Sequence, residues 1–177
     1  MNTHSETSTL PGWLGNMAAG VLPLLTRFIF AATLLMFFWR SALTKLGDGF
    51  AGLWTPSLDA YVQILPWRME AVGYDPVALS VLDRFIVVAA TWAELVLPAL
   101  IVLGLFTRLS ALGMLGFIAV MTVVDIVGHG VVSGAWFDGD PASVIADLRL
   151  FWVLALSVLL LLGGGWLSLD RLFGSRY

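Results

Sequence analysis

The sequence contains no cysteine, and its 177 residues include only two histidines, His4 and His129. The first absence excludes disulfides, iron–sulfur clusters and thiol redox chemistry within the chain. With so few histidines, the chain cannot supply two ligands to a buried haem. No glycine-rich nucleotide fingerprint is present either. Charge is equally scarce: Asp, Glu, Lys and Arg make up 12% of the residues, about half of what a soluble domain carries. A net charge of −3 and an isoelectric point near 5.1 argue against nucleic acid as a partner, which requires basic patches. The opening stretch lacks the positive charge of a cleavable signal peptide and carries Glu6 instead.

What replaces charge is apolar surface. Hydrophobic residues reach 59%, against about 45–50% in soluble domains, so a lipid bilayer is the expected solvent and first partner. The length suits one domain. We read residues 1–20 as a polar tail and interfacial segment anchored by Trp13, residues 21–170 as the membrane domain, and residues 171–177 as a short basic tail.

A membrane helix needs about 20 mostly apolar residues. Four stretches qualify: Val21 to Leu46, Phe85 to Phe106, Leu109 to Val127, and Leu148 to Leu162, the last closed by Gly163-Gly164-Gly165. The expected fold is all-α, a four-transmembrane-helix bundle. The second and third helices form a tight hairpin around Thr107-Arg108. The two long connections, Gly47–Leu82 and Gly128–Ala146, lie at the other end. Both termini then share one side, and the positive-inside bias of Arg27, Arg108, Arg171 and Arg176 favours the cytoplasm for it. Lys45, Arg68 and Arg84 oppose that bias. Trp39, Trp54, Trp67, Trp136 and Trp152 would gather at the outer interface. Leu22–Arg27 resembles Leu103–Arg108, and at the same offset Gly47-Asp48-Gly49 matches Gly128-His129-Gly130. Two parallel helix-pair repeats would produce this, as would chance in leucine-rich sequence. Pro98 is expected to kink the second helix.

Charges inside a span are costly, so they pair or face a cavity. With Arg27 and Arg108 placed at the inner surface, Arg40 rises roughly 20 Å and Glu94 roughly 21 Å. Lys45 and Asp125 likewise meet at roughly 27 and 26 Å. His129, Arg84, Asp147 and Arg149 fall at or beyond the outer boundary. Two readings follow. Glu94–Arg40 and Asp125–Lys45 are ion pairs that lock the helices, or the cluster of Glu94, Arg40, Lys45, Asp125, His129, Arg84 and Arg149 surrounds a polar pocket for a quinone headgroup or a proton relay. Trp92 lies on a different helix face from Glu94, directed to lipid or packing. Asp125 and His129 share a helix face at i, i+4, yet one histidine with scattered aspartates falls short of the about four ligands a metal site uses. No metal is expected.

The ordered set Arg27, Lys45-Leu46-Gly47, Glu94, Leu103-Gly104-Leu105-Phe106-Thr107-Arg108 and Gly163-Gly164-Gly165-Trp166-Leu167-Ser168-Leu169-Asp170 resembles the DoxX family of small four-helix membrane proteins. The resemblance runs from Leu22 to Asp170 and marks Arg27, Gly104, Arg108, Ser168 and Asp170 as motif positions. The connection between helices three and four, and Asp147-Leu148-Arg149, match no motif of the family. The resemblance implies a multi-pass protein of the bacterial inner membrane, with members linked to thiosulfate:quinone oxidoreduction and to membrane-associated oxidoreductase complexes. Transfer of a reaction from fold alone is analogy. The leading expectation is a non-autonomous oxidoreductase subunit linked to the quinone pool. It would have no cofactor in the chain itself beyond a bound quinone, and would depend on a protein partner, plausibly periplasmic. A scaffold or assembly factor for such a partner is the alternative, and a small transporter the third.

Overall fold

The computed structural model describes residues 12–174 and contains no strand among them. Four helices are long and apolar enough to span a bilayer: Gly15–Lys45, Val81–Leu103, Thr107–Gly128 and Val144–Leu162. The chain is therefore an all-α, multi-pass membrane protein.

The spans sit where the apolar runs place them, but local chemistry sets their ends. The first helix starts at Gly12, so residues 12–20 are helical rather than a tail, while residues 1–11 and 175–177 lie outside the described residues. It comprises α1 (Gly12–Phe30), a π-helical turn at Ala31–Leu35, and α2 (Met36–Lys45). The connection that follows is not bare loop: it carries α3 (Leu58–Ile64), capped by Ser57, and α4 (Pro66–Ala71). Ser80 then opens α5 (Val81–Leu103) four residues earlier than its apolar run implies. Its hydroxyl accepts from the Asp83 amide, and the Asp83 carboxylate accepts from the Ser80 amide, which satisfies two amides otherwise orphaned at a helix start. Helix α6 (Thr107–Val123) continues through a π turn to Gly128, and α7 (Arg149–Leu162) follows a π turn at Val144–Leu148. A short α8 (Leu169–Leu172) ends the described chain.

The core draws Phe30, Leu34 and Phe38 from the first span, Ile101 from the second, Ala111, Met114 and Ile118 from the third, and Leu156 and Leu159 from the fourth. Outward-facing apolar residues such as Phe28, Leu109 and Phe151 remain for lipid. In a bilayer such helices associate by close packing and polar contacts, since lipid is as apolar as leucine. The spans form a ring, each packed on the next, with the fourth returning to the first. That last seam is closed mainly along α1; α2 packs chiefly on α5 and α3 and meets α7 through the Phe37 and Phe38 rings against Trp152.

One end of the ring joins the two termini. The Trp166 amide donates to Gly20 O (3.4 Å) and the Asp170 amide to Gly104 O (2.9 Å). A Cβ on Gly20 would lie 1.9 Å from the Trp166 indole nitrogen, so only glycine permits this approach. At the opposite, loop end, α3 and α4 bury Ala60, Tyr61 and Met69 against Val87 of α5.

Candidate functional site

Two ion pairs stand inside the loop end of the bundle. Lys45 Nζ donates to Glu94 Oε2 at 2.9 Å and to Ser41 Oγ at 2.6 Å. The two charged side chains are 3% and 6% exposed, which makes this a fully desolvated pair. On the facing wall, Arg149 donates through Nη2 to Asp125 Oδ2 and through Nη1 to Thr122 Oγ1. Its Nε is buried without a partner.

These partners differ from the depth-matched ones. Arg40 is exposed and does not reach Glu94, which Lys45 takes instead; Asp125 turns to Arg149 rather than Lys45. The reason is side-chain reach. Arg27 and Lys45, eighteen residues apart, touch Ile101 and Glu94, seven residues apart, on the second span. Rises of roughly 27 and 10 Å differ by more than backbone alignment can absorb, so the long Arg27 and Lys45 side chains reach along the helices toward each other, and Cα counts do not give the depths of the charged tips. A 31-residue helix is about 46 Å long, against a hydrocarbon core of about 30 Å, and has reason to tilt.

The two pairs line a cavity of about 550 Å³. Phe37, Phe117, Val120 and Met121 give it an apolar floor, while Asp59 and Gln63 of α3 and His129 cover its loop side. His129 Nε2 lies 3.0 Å from Gln63 O, which ties the end of the third span to that cover. Of the expected cluster, Glu94, Lys45, Asp125, His129 and Arg149 come together here. Arg84 does not: it is exposed and donates to Val77 O at 2.7 Å. Ser41, Asp59 and Gln63 were missed. Ser57 followed by a short apolar-polar run was the available sign that a helix starts there. Trp92 packs rather than facing lipid, stacking on Trp54 with ring centroids 5.4 Å apart and donating to Leu53 O. Among the described residues no three histidines or carboxylates come together as a metal would require.

The electrostatics of the cavity select for a neutral occupant. Each cation is matched by its own carboxylate, and Asp59 adds a negative charge. An incoming anion would meet no unpaired cation. A ring with carbonyl oxygens would meet donors at Ser41 and Arg149 above an apolar floor, the three hydrogens of Lys45 being taken by Ser41 and Glu94.

The motif positions at the termini end do something else. Arg27, 7% exposed, donates to Ile101 O and Val102 O at the end of α5, and to Gly164 O and Leu167 O after α7. One guanidinium thus ties the last carbonyls of α5 to those of the turn after α7. Asp170 accepts from the Phe106 and Thr107 amides and the Thr107 hydroxyl, at 2.6–2.8 Å, and so caps α6 from across the bundle. Gly104 adopts φ +68°, and a Cβ there would lie 2.7 Å from both Arg27 Cζ and Ser168 Cβ. Ser168 caps α8, and Arg108 donates to Leu161 O. These residues form a latch that closes the bundle, some distance along it from the cavity.

Comparison with known proteins gives one match. A sequence model described as DoxX fits residues 22–130, which include Lys45, Glu94, Asp125 and the Gly104–Arg108 corner but not Arg149, Ser168 or Asp170. No curated protein and no solved structure matches the chain.

Proposed function

The chain belongs to the DoxX family, and from that premise we propose that it is a non-autonomous membrane subunit of an oxidoreductase complex that holds a quinone headgroup in the loop-end cavity. The observation that carries this reading is a largely apolar cavity of about 550 Å³ walled by two self-neutralised ion pairs, one buried and one half-buried. Cavities of about 300–1,000 Å³ with a few convergent polar groups are the usual form of small-molecule sites. The Ser41 hydroxyl, oriented by Lys45, supplies a hydrogen-bond donor for one quinone oxygen, and Arg149 supplies donors on the facing wall. Glu94 and Asp125 lie beside those donors, where a proton must arrive or leave when a quinone is reduced or a quinol oxidised. The cysteine-free chain brings no electron carrier of its own, so electrons come from a partner, and the quinone's chemistry is what the site positions. The bacterial inner membrane, with the loop end facing the periplasm, is the setting this role requires.

A second reading, a scaffold for a soluble partner, draws on the loop end. Phe50, Val132 and Phe137 there are 84%, 86% and 103% exposed, more apolar surface than a solvated loop needs. The test separates the two. Protein purified in mild detergent is extracted with organic solvent and assayed for quinone, and is titrated with a tail-free dimethoxybenzoquinone. The proposal expects retained quinone and saturable binding that is lost in Lys45→Met/Glu94→Gln. A protein that neither retains nor binds quinone, yet still captures a partner, is a scaffold.

A further inference from the structure

We infer that the seam between α2 and α7 is a lateral portal through which a lipid-tailed ligand enters the cavity from the bilayer, with the Phe37 and Trp152 rings as its door. The inference rests on the quinone reading above and adds the route. Along the first half of the seam α1 packs directly on α7; past the π turn at Ala31–Leu35, α2 packs mainly on α5 and α3, and its contact with α7 narrows to the Phe37 and Phe38 rings against Trp152. π turns are places where a helix changes course. The gap this opens is bridged by side chains: the Phe37 and Trp152 rings lie 5.4 Å apart, centroid to centroid.

Phe37 lines the cavity and is 49% exposed, whereas Phe38 beside it is fully buried, so the Phe37 ring is the part of this barrier with room to move. Arg149, one turn before Trp152 on the same helix face, lies immediately behind the door. The other three seams are closed by helix-on-helix packing, and the loop end is covered by Asp59 and Gln63, a poor path for an aliphatic tail. A side-chain swing is enough to open this route, and such swings are fast where a ring is partly exposed. The ligand class that fits is a neutral polar ring, seated among the ion pairs, with an aliphatic tail left trailing into the membrane.

The absence of native cysteine allows a direct test. Phe37→Cys/Trp152→Cys is bridged with a short, reducible bifunctional methanethiosulfonate, and binding of two probes is followed by quenching of the remaining tryptophans. One probe is the tail-free dimethoxybenzoquinone, the other the same headgroup with a decyl tail. The bridge should slow association of the decyl probe at least about tenfold, within the one to three decades over which such rates vary, and reductant should restore it. The tail-free probe should associate equally fast with the bridged protein and with the same double-cysteine variant after reduction. Trp152→Ala, which removes the ring of the door that does not line the cavity, should speed the decyl probe alone. An unaffected decyl probe, or equal slowing of both probes, would overturn the portal while leaving the pocket reading intact. Failure of either probe to bind the unmodified protein would remove the pocket reading, and the portal with it.

Discussion

Replacing Glu94 with glutamine strands the Lys45 ammonium in a site where both side chains are almost fully buried. The ammonium keeps its bonds to the Ser41 hydroxyl and carbonyl but loses the only carboxylate it touches. Breaking a buried pair by removing one partner costs about 3–5 kcal/mol, because the survivor is left uncompensated in low dielectric. Lys45→Met leaves the carboxylate in the same position and should cost a similar amount. The double variant strands nothing, so its loss should fall short of the sum by about 2 kcal/mol or more, at the upper part of the range for coupled neighbours. Arg40→Gln is the control: exposed and outside the pair, it should stay within about 0.5 kcal/mol of wild type. Unfolding in mixed detergent micelles, followed by tryptophan fluorescence, gives all four values. Additive losses for Lys45 and Glu94, or an Arg40→Gln loss as large as that of Lys45→Met, would refute the pairing.

The latch and the topology make further claims. Arg27→Gln should destabilise the bundle by at least about 3 kcal/mol, since the last carbonyls of α5 and those of the turn after α7 lose a charged donor, whereas Asp170→Ala should cost about 1–2 kcal/mol as the loss of a cap; the same unfolding assay reads both. Gly104→Ala combines a left-handed φ with contacts of 2.7 Å and should lose more than about 1 kcal/mol, seen as a lower melting temperature in detergent. Cysteines placed at Asn16 and Gly174 should label from one side of the membrane and those at Phe50 and Val132 from the other, and labelling of the first two from opposite sides would contradict the four-span arrangement. The isolated polypeptide should show no turnover with thiosulfate and a soluble quinone, measured spectrophotometrically, because electrons must reach the site from a partner.

Four spans were legible because apolar runs of that length have few other uses, and the glycines after Leu162 correctly mark where the fourth one stops. Their starts were less legible. The α5 start is set by Ser80 and Asp83, a polar pair inside what hydropathy reads as loop, and Gly12 to Gly20 become helix although they are less apolar than the run that follows. The presence of intramembrane charge was likewise visible in the sequence, but its pairing was not. Counting residues from Arg27 and Arg108 assumes that each charge lies level with its Cα, and the reach of the long Arg27 and Lys45 side chains breaks that assumption, so that Lys45, not Arg40, meets Glu94. Arg149, placed by sequence at the outer boundary, turns inward because Asp125 and Thr122 lie on the facing helix. Asp59 and Gln63 escaped notice because nothing local shows that a seven-residue helix folds back over a cavity. Arg27 and Asp170 stood out as motif positions, yet their service to helix ends across the bundle is a tertiary property that sequence spacing does not encode.

The central claim is that a quinone headgroup lies between the Lys45–Glu94 and Arg149–Asp125 pairs, and photolabelling in lipid nanodiscs tests it most directly. A quinone carrying an azide on its ring is irradiated with the protein, and the modified peptides are sequenced. Label should fall on residues bordering the cavity, such as Phe37, Ser41, Ala90, Phe117 and Met121. It should be displaced by excess unlabelled quinone and be lost in Lys45→Met/Glu94→Gln. Label confined to outward-facing residues such as Phe28, Leu109 and Phe151, indifferent to competitor and to that double variant, would show that the cavity is not a quinone site.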